Sequence, residues 1–349
     1  MNKKFKHFLF LTSASLASVH AINKMIHYTA SIKNLTSSYS GNYYKWHYGN
    51  IFYTKQGKGK PILLIHDLNP SSSSYEWTRM IKKLEKTNTV YTIDLLGCGH
   101  SDKPEIIYSN YLFVQLLKDF TNEVIKAHPS VIATGASGSF TIMCGKMHEN
   151  LFKKIIVINP ENLKSLTASP NTQSELLKKL FDCPIIGTFM YNIWFHKRHI
   201  DETFENKYYN NRALISSKFE DIYYESAHLG NGKGRFLLSS ILGHYTNISI
   251  AHALKNMNNL YLIGSRDYPN SVQTINDYLL YNSDIETAYL SNAAYHPQLE
   301  VPEKLAELIL MFLDKKKRMS KLASFLYEIK KLFYFYESGL FVGVPACLG

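Results

Sequence analysis

Apolar residues fall along this chain in short continuous runs and longer periodic stretches, and the two alternate. Ile62–Ile65, Val90–Ile93, Val131–Thr134, Ile155–Ile158 and Leu260–Ile263 are runs of four residues, rich in Val, Ile and Leu. Such runs predict strands buried on both faces. Tyr43–His47 and Ile51–Lys55, joined at Tyr48-Gly49-Asn50, predict a hairpin at the start, and Thr287–Leu290 a last strand. Between them, Asn110–Ala127 carries Leu112, Val114, Leu116, Leu117, Phe120, Val124 and Ile125 at helical spacing, and Val301–Leu313 repeats that pattern behind Pro302, which suits a first helical turn. Strand and helix alternating in this way predict an α/β fold, a mostly parallel sheet with helices on both faces.

The alternation stops between residues 160 and 253. That stretch is helical in pattern and rich in aromatics, among them Phe181, Trp194, Tyr208, Tyr209, Phe219 and Tyr223. It reads as a helical insertion over the carboxyl edge of the sheet, where open α/β sheets bind their ligands, and so as a lid. The organisation expected is an N-terminal segment at 1–42, a core at 43–159 and 254–313, the lid at 160–253, and a C-terminal extension at 314–349.

Charge separates the ends from the body. The net charge is +11, yet residues 1–60 hold nine Lys and no Asp or Glu, the segment from Asp314 onward is also basic, and the body between them is close to neutral. Basic ends beside apolar segments argue for an anionic membrane surface and against a nucleic-acid groove. The N-terminus opens with Lys3, Lys4 and Lys6 before an apolar run from His7 to Ile22 that is too short and too serine-rich for a bilayer span. A membrane-associated segment, an uncleaved anchor in preference to a cleaved signal, is the expectation. Leu322, Phe325, Leu326, Ile329, Leu332 and Phe333, flanked by lysines, predict a basic amphipathic helix in the C-terminal extension. Cys98, Cys144, Cys183 and Cys347 form no metal-binding or disulfide pattern, and neither a metal constellation nor a phosphate-binding glycine loop is present, so no cofactor is expected.

The chemistry centres on Gly135-Ala136-Ser137-Gly138-Ser139, between a strand and a helix. A serine on such a tight turn projects its hydroxyl from the sheet edge, and small neighbours let strand and helix pass closely. Ser137 is the candidate nucleophile. It needs a base, and among fourteen histidines His296 is the best placed, after the last strand and before the final helix. Asp267, just past the strand Leu260–Ile263, is the candidate that orients the imidazole. The chain order Ser, Asp, His differs from that of the two common serine-protease families. Glu161 is the alternative acid. Asp94 and His66 read as structural, and His100, His228, His244 and His252 as surface or core residues.

Four segments resemble the α/β-hydrolase superfamily, in its lid-bearing, serine-nucleophile branch of esterases and haloperoxidase-like enzymes. They are Ile62–Ile65 with His66-Asp67-Leu68-Asn69-Pro70, then Asp94 to Pro104, then the turn at Ser137, and finally His296-Pro297-Gln298-Leu299-Glu300-Val301-Pro302-Glu303. The resemblance covers about residues 43 to 313 and implies an oxyanion hole built from the backbone amides of Leu68 and Gly138. The chain departs from the family in Asp67, where a glycine is usual, in Ser139, where a glycine is usual, and in Tyr295, where a glycine often precedes the histidine.

Two functions of different class follow. One is a serine hydrolase that cleaves a carboxylic ester or thioester of an apolar small molecule through an acyl-enzyme on Ser137. An aminopeptidase, a carbon–carbon bond hydrolase or an acyltransferase would share that centre, the first calling on Glu220, Asp221 and Glu225 for a substrate ammonium. The other is a non-catalytic, membrane-associated binding protein on a hydrolase fold, its chemistry opposed by the Asp67 carboxylate.

Overall fold

The computed structural model describes residues 3–38 and 40–314, with the side chain of residue 38 left aside. Eight strands form one sheet: β1 (Asn42–Trp46), β2 (Gly49–Gln56), β3 (Lys60–Ile65), β4 (Asn88–Ile93), β5 (Ser130–Thr134), β6 (Lys154–Ile158), β7 (Leu260–Ser265) and β8 (Glu286–Leu290). Their order is β1-β2-β4-β3-β5-β6-β7-β8. β1 and β2 pair antiparallel, as do β2 and β4, and every other pair is parallel. Each expected strand is present, with no end shifted by more than two residues. β5 is buried along its whole length and β3 over its last four residues, as the unbroken apolar runs require.

Helices cover the sheet. They are α1 (Lys3–Ser31), α2 (Thr78–Leu84), α3 (Asn110–Phe120), α4 (Ser137–Met147), α5 (Thr172–Asp182), α6 (Ile186–Trp194), α7 (Lys197–Thr203), α8 (Ser217–His228), α9 (Arg235–Leu242), α10 (Ala251–Leu254), α11 (Ser271–Leu279), α12 (Pro297–Glu300) and α13 (Pro302–Leu313). α3 starts on a Ser109 cap that accepts from the Leu112 amide. It stops at Phe120, short of the expected Ala127. The chain widens into a π turn over Thr121–Ile125, which Lys126 closes in the left-handed conformation with its amide on Thr121 O at 2.8 Å. α5 to α9 form the insertion after β6. Their aromatic side chains make a core of their own, including Phe181, Tyr191, Phe204, Tyr208 and Tyr223, and this core takes in Tyr295 from the loop after β8 and Leu299 from α12.

The N-terminal segment is one 29-residue helix, longer than the apolar run suggested. Only Asn23, His27 and Ala30 of it are buried. Among the described residues no helix is long and apolar enough to cross a membrane. Contacts divide the chain into two compact units, Met1–Ala306 and Glu307–Gly349. Described residues of the second unit comprise the end of α13 and Asp314, so the amphipathic helix expected beyond Asp314 lies outside the described residues.

Candidate functional site

The strand–turn–helix elbow follows directly from the small-residue run. β5 pairs with β6 up to Thr134, opposite Ile158. Gly135 then turns the chain with φ +55°, a conformation costly for any residue with a Cβ, and Ala136 is already right-handed helical ahead of α4. Gly138 packs so closely on β6 that a Cβ there would meet Val157 Cγ1 at 2.4 Å. The turn therefore needs its glycines, as the sequence indicated, but the residue at its apex is Gly135. Ser137 lies two residues further on, in the first turn of α4. It is fully buried, and its Oγ donates to His66 O at 2.6 Å.

The other two candidate triad members are engaged elsewhere. His296 is fully buried, and its Nδ1 accepts from Gln298 Nε2 at 2.9 Å. The Gln298 amide is oriented by Glu76 Oε1, 2.6 Å away, so the imidazole is neutral with its proton on Nε2. Burial, with Lys207 adding to it, holds its pKa well below the ordinary histidine value. Asp267 Oδ2 accepts the amides of Asn292 at 2.7 Å and Ala293 at 3.3 Å. It clamps the loop that carries Tyr295 and has no contact with His296 among the described hydrogen bonds and ion pairs. Ser137, His296 and Asp267 thus form no relay. Glu161 does not replace Asp267: it lines a neighbouring cavity, where burial first and the Asp67 charge second push its carboxyl upward.

What converges at the elbow is a different set. In this kind of turn the oxyanion is held by the amide that follows the apex residue and by one from the loop after the third strand. Here these are the amides of Ala136 and Leu68. Leu68 matches the expectation, and Ala136 takes the place assigned to Gly138, whose amide instead closes the turn on Gly135 O at 3.0 Å. Both amides are already in use. Asp67 Oδ1 accepts from Leu68 N at 2.9 Å and from Ala136 N at 3.0 Å. Asp67 Oδ2 accepts from the Tyr295 hydroxyl at 2.9 Å. A Cβ built on Gly135 would lie 1.9 Å from Tyr295 Oη and 2.5 Å from Asp67 Oδ1. The space in front of the apex, where a nucleophile would reach out, is filled by a phenol and a carboxylate.

A buried polar layer supports this plug. His66 Nε2 accepts from the Leu95 amide at 3.0 Å, which leaves its proton on Nδ1 to donate to Asp67 O at 2.7 Å. The Asp67 amide donates to Glu76 Oε2 at 3.3 Å. Glu76 is fully buried, and burial, with the Asp67 charge behind it, raises its pKa to about 8. Burial, and next the Asp67 charge, push the Tyr295 hydroxyl far above its ordinary value, so it stays a neutral donor. Sequence reasoning flagged Asp67 and the departure at Tyr295 but did not join them with Gly135, Ala136 and Glu76 as a set. The available signals were the glycine directly after Thr134 and the tyrosine directly before His296.

A cavity of about 400 Å³ opens beside the plug, lined by Leu68, Ala136, Ser139, Glu161, Leu242 and His244 among others. A larger hollow of about 590 Å³, near His100, Asp102 and Lys103, shares none of these residues. Of the lid carboxylates, Asp221 pairs with Lys33 and Lys197, and Glu225 accepts from Leu35 N, Thr36 N and the Thr36 hydroxyl. Both hold the N-terminal segment and are spoken for. Among the described residues, no group of three or more His, Cys, Asp or Glu side chains could hold a metal ion.

This sheet order, with a glycine elbow at the end of β5 and two loop amides converging beside it, is that of the α/β hydrolases, and the chain has the α/β-hydrolase fold. A curated relative, the 2-hydroxy-6-oxo-6-(2'-aminophenyl)hexa-2,4-dienoic acid hydrolase of Metapseudomonas resinovorans, is 26% identical over 113 residues. That match spans 32% of this chain and 39% of the relative, so the chain covers well under half the relative's length. A serine hydrolase involved in carbazole degradation superposes with a TM-score of 0.64 at 16% identity, over 79% of this chain and 98% of its own. A bacterial membrane phospholipase A superposes with a TM-score of 0.63 at 17% identity, over 90% and 99%. At these identities the solved structures establish the fold. No protein-family model matches the chain.

Proposed function

We propose that this protein is a membrane-associated binding protein on a hydrolase fold, its catalytic centre closed from within by Asp67. The observation that carries the reading is Asp67 Oδ1, which accepts both amides that would stabilise an oxyanion. An oxyanion hole accelerates acyl transfer because its donors meet a negative charge that grows only in the transition state. A resident carboxylate supplies that charge in the ground state and repels a second one. The apex residue, Gly135, has no side chain with which to attack. The group facing it from the histidine loop is a phenol, a poor base near neutral pH. The cavity beside the plug suits a small, largely apolar ligand that is held without being cleaved. Association with a membrane surface is supported by the exposed apolar side chains of α1, among them Phe5, Phe8, Phe10 and Leu11, each more than half exposed.

The hydrolases among its relatives favour a second reading, an ester or thioester hydrolase acting through Ser137. That reading requires the Ser137 hydroxyl to leave His66 O and the Asp67 carboxylate to leave both amides. Labelling the full chain with a fluorophosphonate probe decides between them, because such a probe modifies only a serine activated by a working base and hole. We expect no labelling of the folded protein. Labelling that disappears in Ser137→Ala would overturn the binding-protein reading and restore the hydrolase.

A further inference from the structure

Away from the elbow, a hollow of about 200 Å³ lies between α1 and the insertion, lined by His20, Asn23, Lys24, His27, Pro184, Ile185, Thr188, Asn231 and Arg235. Its lining contains three histidine or lysine side chains and an arginine but no carboxylate. The volume is several times the roughly 30 Å³ that one water occupies in the liquid.

Two of its basic side chains are buried beyond nine-tenths and under-satisfied. Arg235 is 8% exposed, and its Nε has no hydrogen-bond partner. Its one guanidinium hydrogen bond is a long one, from Nη1 to Gly232 O at 3.4 Å. The acidic groups nearest in effect, Glu105 and Asp182, are engaged elsewhere: Glu105 with Lys233, and Asp182 with Lys178 and Ser239. His27 is 5% exposed, and neither ring nitrogen makes a hydrogen bond. The guanidinium also lies over the Phe236 ring at 4.1 Å, but a buried guanidinium with no carboxylate of its own is costly, and an anion in the hollow would offset that cost.

The helix presents these groups by design of spacing. His20, Asn23, Lys24 and His27 stand at i, i+3, i+4 and i+7, one stripe of α1. Asn23 serves the wall: its Nδ2 donates to Ile185 O at 2.9 Å, and its Oδ1 accepts from Asn192 at 2.9 Å. His20, Lys24 and His27 remain for a ligand. The stripe begins where the exposed apolar half of α1, from Phe5 to Leu16, gives way to the half docked on the insertion. At 1.5 Å per residue, Leu16 and His27 are about 16 Å apart along the axis. An apolar helix end lying in an acyl boundary would therefore set the hollow near headgroup depth.

We propose that this hollow binds a phosphate group, held by Arg235 and Lys24 with the histidines beside them. Its supply from a lipid headgroup, in preference to free phosphate, rests on the membrane reading above. Arginine forks match phosphate oxygens, and the site would convert an unpaired buried charge into a charge-assisted pair.

The test uses the full chain, Arg235→Gln and Lys24→Gln. Thermal unfolding is followed in inorganic phosphate against chloride of equal ionic strength, and co-sedimentation is measured with phosphatidylcholine vesicles with or without phosphatidylglycerol. Phosphate should stabilise the wild type in a saturable way, and losing a charge-assisted contact in Arg235→Gln should weaken it by about tenfold or more. Lys24 is on the exposed rim, so its variant keeps the test valid should Arg235→Gln not fold. Preference for phosphatidylglycerol that is weakened in both variants and competed by phosphate identifies the headgroup as the source. Phosphate stabilisation without vesicle preference identifies free phosphate. Vesicle binding equal in all three proteins, with no specific phosphate effect, overturns the site and leaves the surface reading standing. Phosphate stabilisation of the same size in all three also overturns the site.

Discussion

A single carboxylate decides the chemistry at the elbow. Asp67 accepts from two backbone amides and one phenol, the Leu68 amide and the phenol buried and the Ala136 amide partly so, and removing it would leave all three without this partner. Unsatisfied buried donors cost about 1–3 kcal/mol each, partly relieved by relaxation, so Asp67→Ala should lose about 3 kcal/mol of stability. Asp67→Asn keeps an acceptor on the amides and should lose less. Urea unfolding of the two variants checks the order, and equal stability of wild type and Asp67→Ala would refute the plug. Gly135 is the second such residue. Gly135→Ala forces a Cβ into positive φ and against Tyr295 Oη, and should cost about 2 kcal/mol or more. Tyr295→Phe removes the oxygen it strikes, so the double variant should lose less than the sum of the single ones. Simple additivity would show that the two positions do not meet.

At the scale of elements, α1 matters through its second half. Asn23 bonds the insertion, the His27 ring lies 5.5 Å from that of His228, and Glu225 fastens the chain just past the helix. Burial, with the His228 charge next, lowers the His27 pKa to about 4 from an unfolded value near 6.5. The folded state thus prefers the neutral ring. The stability it contributes is complete above about pH 6.5 and is lost as pH falls toward about 4, where the folded protein also takes up the proton. Hydrogen exchange of residues 20–36 should therefore quicken through that window, and His27→Gln should flatten the dependence.

At the scale of the whole molecule, sheet and insertion retain the architecture of a hydrolase while the groups at its centre are exchanged. The buried residues of α1 begin at Asn23, so residues 3–22 add little to the packed body. Deleting residues 3–19 should leave the unfolding temperature unchanged and abolish vesicle association; a large drop in unfolding temperature would make the segment part of the core.

Hydrophobic periodicity by itself determined the strand and helix order, the place of the insertion and the segment that holds the elbow. Those features depend on which residues leave water, and burial follows the identity and spacing of side chains along the chain. The resemblance to the hydrolases singled out Asp67, because a carboxylate where that family usually has a glycine is visible without coordinates. It could not choose the frame of the elbow. Gly135-Ala136-Ser137-Gly138-Ser139 offers small residues in more than one register, and only the end of β5 pairing at Thr134 put Gly135 at the apex and Ser137 inside α4. Nor could it choose between neighbours in the histidine loop. Asp267 holds the Asn292 and Ala293 amides, and the loop so clamped aims Tyr295 at the elbow while His296 turns to Gln298. Which side chain faces which is a matter of one residue of register between segments far apart in sequence, and only tertiary packing sets it.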